Sequence, residues 1–276
     1  MSRRPQWIQF GADFKMPLST AVVNRFAYVG TPGSGKSNSA QVVFEQMVLA
    51  GAQCIVIDIT GIWRGCAFSK TGKRRSKLKV IVIGGKSGVK PIDPSKGEAY
   101  ARWVVQSGVS VIFDLKGIRE GKRELFVETF MRELYYLKGA AEEKTPMHVF
   151  MEEAQRWVAQ KPESKAERSV GAIMREIAEQ IRNDGVGLSF ITPAPQGVDK
   201  RVLNLSQMLV VHQTAGKHER RSLIDWAVSK RLKLEDTDLT ELDIGEAYVW
   251  SPRWLKLVKK VQVDLKTTYL RVLERL

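Results

Sequence analysis

The stretch Tyr28-Val29-Gly30-Thr31-Pro32-Gly33-Ser34-Gly35-Lys36-Ser37 decides the fold of this 276-residue chain. It matches the pattern GxxxxGK[ST] in full, with an apolar run before it and a helical pattern after it. Gly30, Gly33 and Gly35 allow backbone conformations that turn successive N–H groups toward an anion. We therefore expect a phosphate-binding loop between a strand and a helix.

The residues of this loop predict a bound nucleoside triphosphate, ATP, together with Mg²⁺. The helix that begins near Lys36 directs its positive dipole end at the same place. Lys36 is expected to reach the β- and γ-phosphates, and the Ser37 hydroxyl to ligate Mg²⁺. The predicted nucleotide-binding residues are Gly30, Thr31, Pro32, Gly33, Ser34, Gly35, Lys36, Ser37 and Asn38.

A second element, Met147–Glu153, is an apolar run that ends in two carboxylates. In a parallel sheet the strand ends line the ligand crevice, so both acids are expected near the phosphates. We predict that Glu152 binds the metal and that Glu153 orients or deprotonates the attacking water. The alternative is a pair of solvated acids at a helix N-terminus, where the helix dipole favours them.

Short β-rich apolar runs alternate with helical patterns, which predicts an α/β fold with a mainly parallel sheet flanked by helices. The predicted strands are Arg25–Val29, Gln53–Asp58, Lys79–Ile83, Val109–Leu115, His148–Glu152, Gly187–Thr192, Gln207–His212 and Glu246–Ser251. We divide the chain into an N-terminal extension (1–24), an ATPase domain (25–251) with a basic loop at about 64–90, and a basic C-terminal appendage (252–276).

Three predicted helices each carry one apolar stripe, which we assign to the core. The stripes are Ala40, Val43, Phe44, Met47 and Val48; then Leu125, Phe126, Phe130, Leu134 and Leu137; then Ile173, Ile177 and Ile181. Gly51 is expected to end the first of these helices.

The charge of the chain points to a polyanionic partner. The net charge is +14, and the stretch from Ile59 to Ile92 holds nine basic residues and no Asp or Glu. Clustered positive charge suits phosphate contacts, because each contact releases counterions from nucleic acid. No base-reading motif is visible, so we expect sequence-tolerant, salt-sensitive binding through Arg64–Lys90 and Gln196–Arg201. The alternative for Lys73–Arg75 is a solvated loop.

Several classes of protein are disfavoured by the sequence. No apolar run approaches the roughly 20 residues of a membrane-spanning helix, and no signal peptide is visible, so we expect a cytoplasmic protein without a membrane partner. The two cysteines, Cys54 and Cys66, are too few for a disulfide framework or a metal knuckle, and both are expected to be structural.

The sequence resembles the HerA/FtsK superfamily of hexameric P-loop translocases, and HerA more closely than FtsK. The resemblance covers about Ala21 to Val263. Besides the loop it rests on five segments in the family's order: Val56–Trp63, Val111–Leu115, Glu152–Gln155, Glu179–Gly187 and Leu242–Val249.

The resemblance implies a RecA-like ATPase core, assembled as a ring that moves double-stranded DNA through a central channel. It also implies an arginine finger at Arg182, which would reach the γ-phosphate of a neighbouring subunit. Gln155 stands where the family has His or Gln after the acids, and would sense the γ-phosphate. The alternative for Arg182 is a surface helix residue paired with Glu179 or another acid, and the alternative for Gln155 is an exposed residue at a helix N-terminus. A nuclease, or a viral or plasmid partner, would accompany such a motor.

The sequence departs from the family pattern at two places. The acid pair is Glu152–Glu153 rather than Asp-Glu, and Pro193 stands where the family carries a glutamine after its strand. Gln196 lies three residues further on. A second interpretation therefore stays open: a nucleotide-gated module that binds DNA or another partner and hydrolyses little ATP.

Overall fold

The computed structural model describes residues 6–12, 14–86, 88–229, 233–251 and 253–268. Eleven strands are present in this part of the chain, nine of them in one sheet. The strands are β1 (Trp7–Gln9), β2 (Lys15–Pro17), β3 (Arg25–Val29), β4 (Gln53–Asp58), β5 (Val80–Gly84), β6 (Ser110–Asp114), β7 (Met147–Glu152), β8 (Val186–Thr192), β9 (Met208–His212), β10 (Glu246–Ser251) and β11 (Leu255–Gln262).

The large sheet has the order β11-β10-β9-β3-β8-β7-β4-β6-β5. Strands β3 to β9 run parallel, whereas β10 and β11 are antiparallel to their neighbours. The predicted α/β class with a mainly parallel sheet is confirmed. The eight predicted strands all occur, and their bounds differ from the prediction by at most one residue.

Eight α-helices connect or cover the described strands. They are α1 (Leu18–Ala21), α2 (Lys36–Leu49), α3 (Gly97–Ser107), α4 (Lys122–Ala140), α5 (Lys165–Gln180), α6 (Lys200–Asn204), α7 (Lys217–Ser229) and α8 (Asp236–Thr240). The predicted stripes of α2 and α5 are buried. In α4 the prediction was wrong for Leu125, which is exposed, because Val127 and Met131 take core positions beside Phe126 and Phe130.

The central sheet is buried on both faces, so each strand alternates between two cores. In β3, Ala27 and Val29 belong to the core beneath α3, α4 and α5, whereas Phe26 and Tyr28 belong to the core beneath α2. Every residue of β3, β4, β6, β7, β8 and β9 is buried. This burial explains why these strands read as nearly continuous apolar runs.

The C-terminal strand β11 continues the sheet beyond the predicted boundary at residue 251. It pairs with β10 from Glu246↔Gln262 to Ser251↔Leu255. The chain then crosses α2, where the Glu45 carboxylate accepts bonds from the amides and hydroxyls of Thr267 and Thr268. The residues after 268 lie outside the described part of the chain. The division into an extension, a domain and an appendage stays a prediction.

Candidate functional site

The carboxyl ends of the parallel strands meet at one edge of the sheet, which we call the carboxyl edge; the other end is the amino edge. The predicted phosphate loop follows β3 at the carboxyl edge. The Thr31 amide donates to the Gln213 carbonyl at 2.9 Å, which ties the loop to the chain after β9. Within the loop, the Ser34 amide and hydroxyl both donate to the Thr31 carbonyl.

The backbone of the loop needs glycine for two different reasons. Gly33 adopts a φ of +83°, in the left-handed region that glycine favours, although a Cβ there would meet nothing within 4 Å. At Gly30 space is the limit, because a Cβ would lie 2.5 Å from Ser34 Oγ and 2.7 Å from the His212 Cβ. The loop is therefore held in one shape by close packing on β9.

The start of α2 leaves amides available to an anion. Ser39 N–H donates to the Gly35 carbonyl, so the amides of Lys36, Ser37 and Asn38 precede the first helical hydrogen bond. The Lys36 side chain is buried, and its Nζ donates to the Thr31 carbonyl at 3.5 Å. Burial lowers the pKa of Lys36, although the charges of the neighbouring acids oppose this shift.

The loop and the acid pair meet through one contact. Ser37 Oγ donates to Glu152 Oε1 at 2.9 Å, across 115 positions of sequence. Burial raises the pKa of Glu152 to about 7. The hydroxyl and the carboxylate are the hard oxygen ligands that Mg²⁺ prefers. Because the described residues hold no group of three or more His, Cys, Asp or Glu suited to a metal, an ion here would complete its shell with phosphate oxygens and waters.

Trp63 is a site residue that the sequence alone did not assign to this chemistry. Its indole N–H donates to Glu152 Oε2 at 2.7 Å, and its ring packs against Phe44 and Phe150 with centroids 5.6 and 5.4 Å away. The Asp58 carboxylate accepts the Trp63 amide at 2.9 Å, and thereby turns the chain after β4 inward. Both oxygens of Glu152 are thus occupied by fixed donors.

Glu153, the second acid, has a different environment. Its backbone is left-handed, with φ of 55°, the one positive φ of a non-glycine residue in the described chain. Such a conformation costs roughly 1–3 kcal/mol and is found mostly where surrounding contacts enforce it. Its carboxylate accepts a hydrogen bond from Gln155 Nε2. Gln155 therefore contacts the second acid, whereas Gln196 donates to Glu219 at 2.9 Å and is turned toward α7.

Strands β10 and β11 support the loop from the side. The Gly245 amide donates to the Ser34 carbonyl at 3.1 Å, and the Gly245 carbonyl accepts from the Val263 amide. A Cβ at Gly35 would lie 3.2 Å from the Gly245 Cα. Asn38, predicted to bind nucleotide, has its side chain engaged with the backbone of residues 264 and 266.

Arg182 lies at the amino edge of the sheet, in a short 3₁₀ turn before β8. Since β8 has seven residues, it separates Arg182 from the chain's own phosphate loop by about 20 Å. Among the described residues, the Arg182 side chain makes no hydrogen bond or ion pair. Burial, and to a smaller extent the charge of Arg182, lowers the pKa of the nearby Arg25.

The basic stretch begins with a short 3₁₀ helix, Trp63–Ala67, so its first residues are more buried than an exposed loop would be. Eight exposed basic side chains follow, which we call the basic patch: Lys70, Lys73, Arg74, Arg75, Lys77, Lys79, Lys86 and Lys90. None of them forms an ion pair with a described residue. In the other predicted segment, Arg201 is paired with Asp199 at 3.2 Å.

The strand order and the loop together define the class of fold. Strand β8 lies between β3, which precedes the phosphate loop, and β7, which ends in the acids. This arrangement, within a mostly parallel sheet flanked by helices, is that of a RecA-like P-loop NTPase.

Solved structures with a similar fold include a viral genome packaging NTPase and two conjugation coupling proteins. One is the genome packaging NTPase B204 of Sulfolobus turreted icosahedral virus 2 in complex with ATP-gammaS, with a TM-score of 0.56, 14% identity, and coverage of 88% of this chain and 99% of that chain. The bacterial conjugative coupling protein TrwB aligns with a TM-score of 0.65, 10% identity, and coverage of 96% and 90%. The pCW3 conjugation coupling protein TcpA, in complex with ATPgS, aligns with a TM-score of 0.57, 12% identity, and coverage of 96% and 67%.

At these identities the likeness shows the fold. No family model and no curated protein matches the chain. In the part of the chain that the structure describes, every helix is either too short or too polar to cross a bilayer.

Proposed function

We propose that the chain is an ATP-hydrolysing, Mg²⁺-dependent motor of the HerA/FtsK type, which translocates or packages double-stranded DNA as a hexameric ring. The observation that carries the proposal is the 2.9 Å hydrogen bond between Ser37 and Glu152. It brings the hydroxyl of the phosphate loop and the acid of β7 together in a buried site, with a second acid next in sequence. The fold neighbours named as packaging and conjugation coupling proteins support the choice of DNA.

In the proposed reaction, the amides at the start of α2 bind the phosphates and Lys36 neutralises their charge. Ser37 and Glu152 would hold Mg²⁺, which would withdraw electron density from the phosphate oxygens. Glu153 accepts the proton of the attacking water as the water oxygen bonds to the γ-phosphorus; the bond from that phosphorus to the β,γ-bridging oxygen breaks, and ADP and phosphate leave. Gln155, hydrogen-bonded to Glu153, is placed to contact the same water or the γ-phosphate.

Arg182 has its proposed role in the neighbouring subunit. An arginine that stabilises the transferring phosphoryl group must touch it, and within one chain β8 keeps Arg182 about 20 Å from the loop. Its proposed action therefore requires an assembly in which the amino edge of one subunit faces the carboxyl edge of the next. A hexameric ring satisfies this requirement.

The basic patch is the proposed DNA contact. Its eight side chains have no ionic partner among the described residues, so they are available to phosphates. Binding through phosphates alone is expected to weaken steeply with salt, with log K falling by roughly 0.9 per phosphate contact for each unit of log salt concentration. Such binding does not distinguish sequences, as a motor that moves along DNA requires.

The test of the function is ATP turnover with and without long duplex DNA. We expect DNA to stimulate turnover, and Glu153→Gln to lower it by about 10²- to 10⁴-fold, the usual contribution of a general base, while nucleotide binding persists. Imaging with a slowly hydrolysed ATP analogue should reveal six-membered rings. A protein that stays monomeric under all conditions would contradict the proposed motor function.

The DNA contact is tested separately by removing three charges. Replacing Lys73, Arg74 and Arg75 with Ala should weaken duplex binding and reduce the salt slope by about two to three. The matched control replaces Arg119, Lys122 and Arg168, three exposed basic residues scattered over other elements, and should leave binding unchanged. Equal losses in both variants would mean that net charge, and not the basic patch, governs binding.

The second candidate function is a nucleotide-gated module with little hydrolysis. It is favoured by Pro193, which stands where the family carries a glutamine. Turnover that responds neither to DNA nor to Glu153→Gln, together with tight nucleotide binding, would select this function.

A further inference from the structure

The end of β8 occupies the position between the two halves of the candidate site. In the register of the sheet, Thr192 lies beside Val29 on one side, and Ile191 lies beside Glu152 on the other. Thr192 is fully buried. It is therefore the last strand residue between the phosphate loop and the acid pair, one position before Pro193.

A chain of three hydrogen bonds runs from the loop after β8 to Glu153. The Ala194 amide donates to Thr192 Oγ1 at 3.0 Å, and Thr192 Oγ1 donates to Gln155 Oε1 at 2.7 Å. Gln155 Nε2 in turn donates to Glu153 Oε2. The loop, the buried threonine and the second acid are thus connected through one glutamine side chain.

The donors and acceptors in this series of hydrogen bonds can be arranged in only one way. An ionised carboxylate accepts hydrogen bonds and donates none, so the amide nitrogen of Gln155 must face Glu153. The amide oxygen then faces Thr192, whose hydroxyl must donate to it and is left to accept from the Ala194 N–H. The threonine hydroxyl consequently reinforces the orientation that the acid imposes on the Gln155 amide.

The surroundings hold Gln155 in place. A Cβ on Gly197 would lie 3.2 Å from the Gln155 Cβ, so the loop after β8 packs closely on its stem. The left-handed turn at Glu153 directs the chain into the 3₁₀ turn Ala154–Arg156, which carries Gln155. Two independent features, the packing and the turn, support the hydrogen-bonded geometry.

We propose that Thr192 is a positioning residue that acts through Gln155 on the carboxylate of Glu153, in place of a polar side chain at position 193. This inference rests on the proposed function of Glu153 as the base. Without the hydroxyl, the Gln155 amide oxygen loses its partner, and only the bond to Glu153 still orients the amide. The expected consequence is a base that is misplaced for part of the time, with an intact nucleotide pocket.

The test compares Thr192→Val, which keeps the shape and removes the hydroxyl, with Thr192→Ser, which keeps the hydroxyl. We expect Thr192→Val to lower kcat about tenfold, the value of one hydrogen bond to a polar group, with KM for ATP unchanged. Thr192→Ser, which keeps the hydroxyl, should have a kcat within about twofold of that of the parent. Affinity for a slowly hydrolysed ATP analogue serves as the control for folding, and Thr192→Ala provides a second variant without the hydroxyl.

The coupling to Gln155 separates positioning from general packing. In a Gln155→Ala background, Thr192→Val should cause no further loss, because the link to Glu153 is already absent. Full activity of Thr192→Val, additive losses in the double variant, or a raised KM with unchanged kcat would each overturn the inference. Absence of ATP turnover in the parent protein would instead overturn the proposed function, and the inference with it.

Discussion

The two edges of the central sheet use buried polar side chains in different ways. At the amino edge, Arg25 and Lys138 donate to backbone carbonyls at the ends of helices and loops. His148 bonds the Val22 carbonyl through Nδ1 at 2.8 Å and one side chain, Ser189 Oγ, through Nε2 at 2.7 Å. At the carboxyl edge, Glu152 and Gln155 instead bind other side chains. Bonds between side chains are a minority in folded proteins, roughly 10–15% of all hydrogen bonds.

This difference is the one expected between groups that hold the fold and groups that serve the proposed chemistry. A side chain that donates to a buried backbone carbonyl removes the free-energy cost of leaving that carbonyl unpaired. This stabilises the fold whether or not a ligand is bound. A network of side chains has to be ordered on both sides of each bond, and each polar group in it depends on another side chain for its partner. Arg182 belongs to neither group, because it lies at the amino edge without a partner in the described chain. The strongest test of the comparison therefore concerns this arginine.

The largest effect is expected for Arg182→Ala, which should reduce ATP turnover about 10³-fold if the residue acts as an arginine finger. The readout that identifies its place is mixing with Lys36→Ala subunits. In mixed rings, an intact loop from an Arg182→Ala subunit meets an intact Arg182 from a Lys36→Ala subunit, so two inactive proteins should regain activity together. The control Arg168→Ala, an exposed arginine of α5, should retain full turnover. If the mixture does not regain activity, Arg182 does not act on the nucleotide of a neighbouring subunit.

A smaller effect is expected for Lys36→Ala, which should weaken the binding of ATP as well as lower its turnover. Losing the charged donor to the phosphates should raise the Kd for ATP by about 10- to 100-fold. Equilibrium titration with a fluorescent ATP analogue measures this directly, and the thermal unfolding midpoint reports whether the variant is folded. A folded Lys36→Ala protein that binds nucleotide as tightly as the parent would mean that the phosphates lie elsewhere.

The parts of the site that could be predicted from the sequence are contiguous in it. The phosphate loop and the acid pair each occupy a few successive residues, and the surrounding apolar runs reveal the strands that carry them. The parallel sheet then predicts that both lie at one edge. Ser37 and Glu152 could therefore be paired from the sequence alone, although 115 positions separate them.

The contacts that could not be predicted join distant segments through single side chains. Trp63 and Glu152 are 89 positions apart, and no periodicity encodes a bond between an indole and a carboxylate. The available signal was the turn after β4, where Asp58 accepts amides of its own loop and directs Trp63 inward. The pairing of β11 was hidden for another reason: Lys256, Lys259 and Lys260 give an edge strand the composition of a solvated tail.

Trp63→Phe sharpens the comparison at the carboxyl edge. It keeps a ring to pack against Phe44 and Phe150 but removes the donor to Glu152, so the acid loses one of its two fixed partners. We expect about a tenfold higher Mg²⁺ concentration for half-maximal ATP turnover, the effect of one hydrogen bond to a charged group. The matched control Trp157→Phe removes the indole donor to the Glu152 carbonyl, and leaves the carboxylate contacts in place. An unchanged Mg²⁺ requirement in Trp63→Phe would reduce Trp63 to a packing residue.

The smallest effect concerns the protonation of Glu152 in the protein without nucleotide or Mg²⁺. Because burial raises its pKa to about 7, the folded state holds the proton more tightly than the unfolded state does. Its contribution to stability is full below the unfolded pKa and is lost as pH rises through 7. We expect the free energy of unfolding to fall by about 1 kcal/mol more between pH 6 and pH 8 in the parent than in Glu152→Gln.

Chemical denaturation at several pH values measures this slope. Gln at position 152 can accept the Trp63 N–H through its oxygen and donate to Ser37, whose hydroxyl can rotate to accept, so the variant retains both contacts without titrating. Glu153→Gln, which leaves the buried acid in place, should keep the slope of the parent. Equal slopes for the parent and Glu152→Gln would mean that Glu152 is already ionised in the folded protein. The side-chain network at the carboxyl edge would then carry its negative charge before any ligand binds.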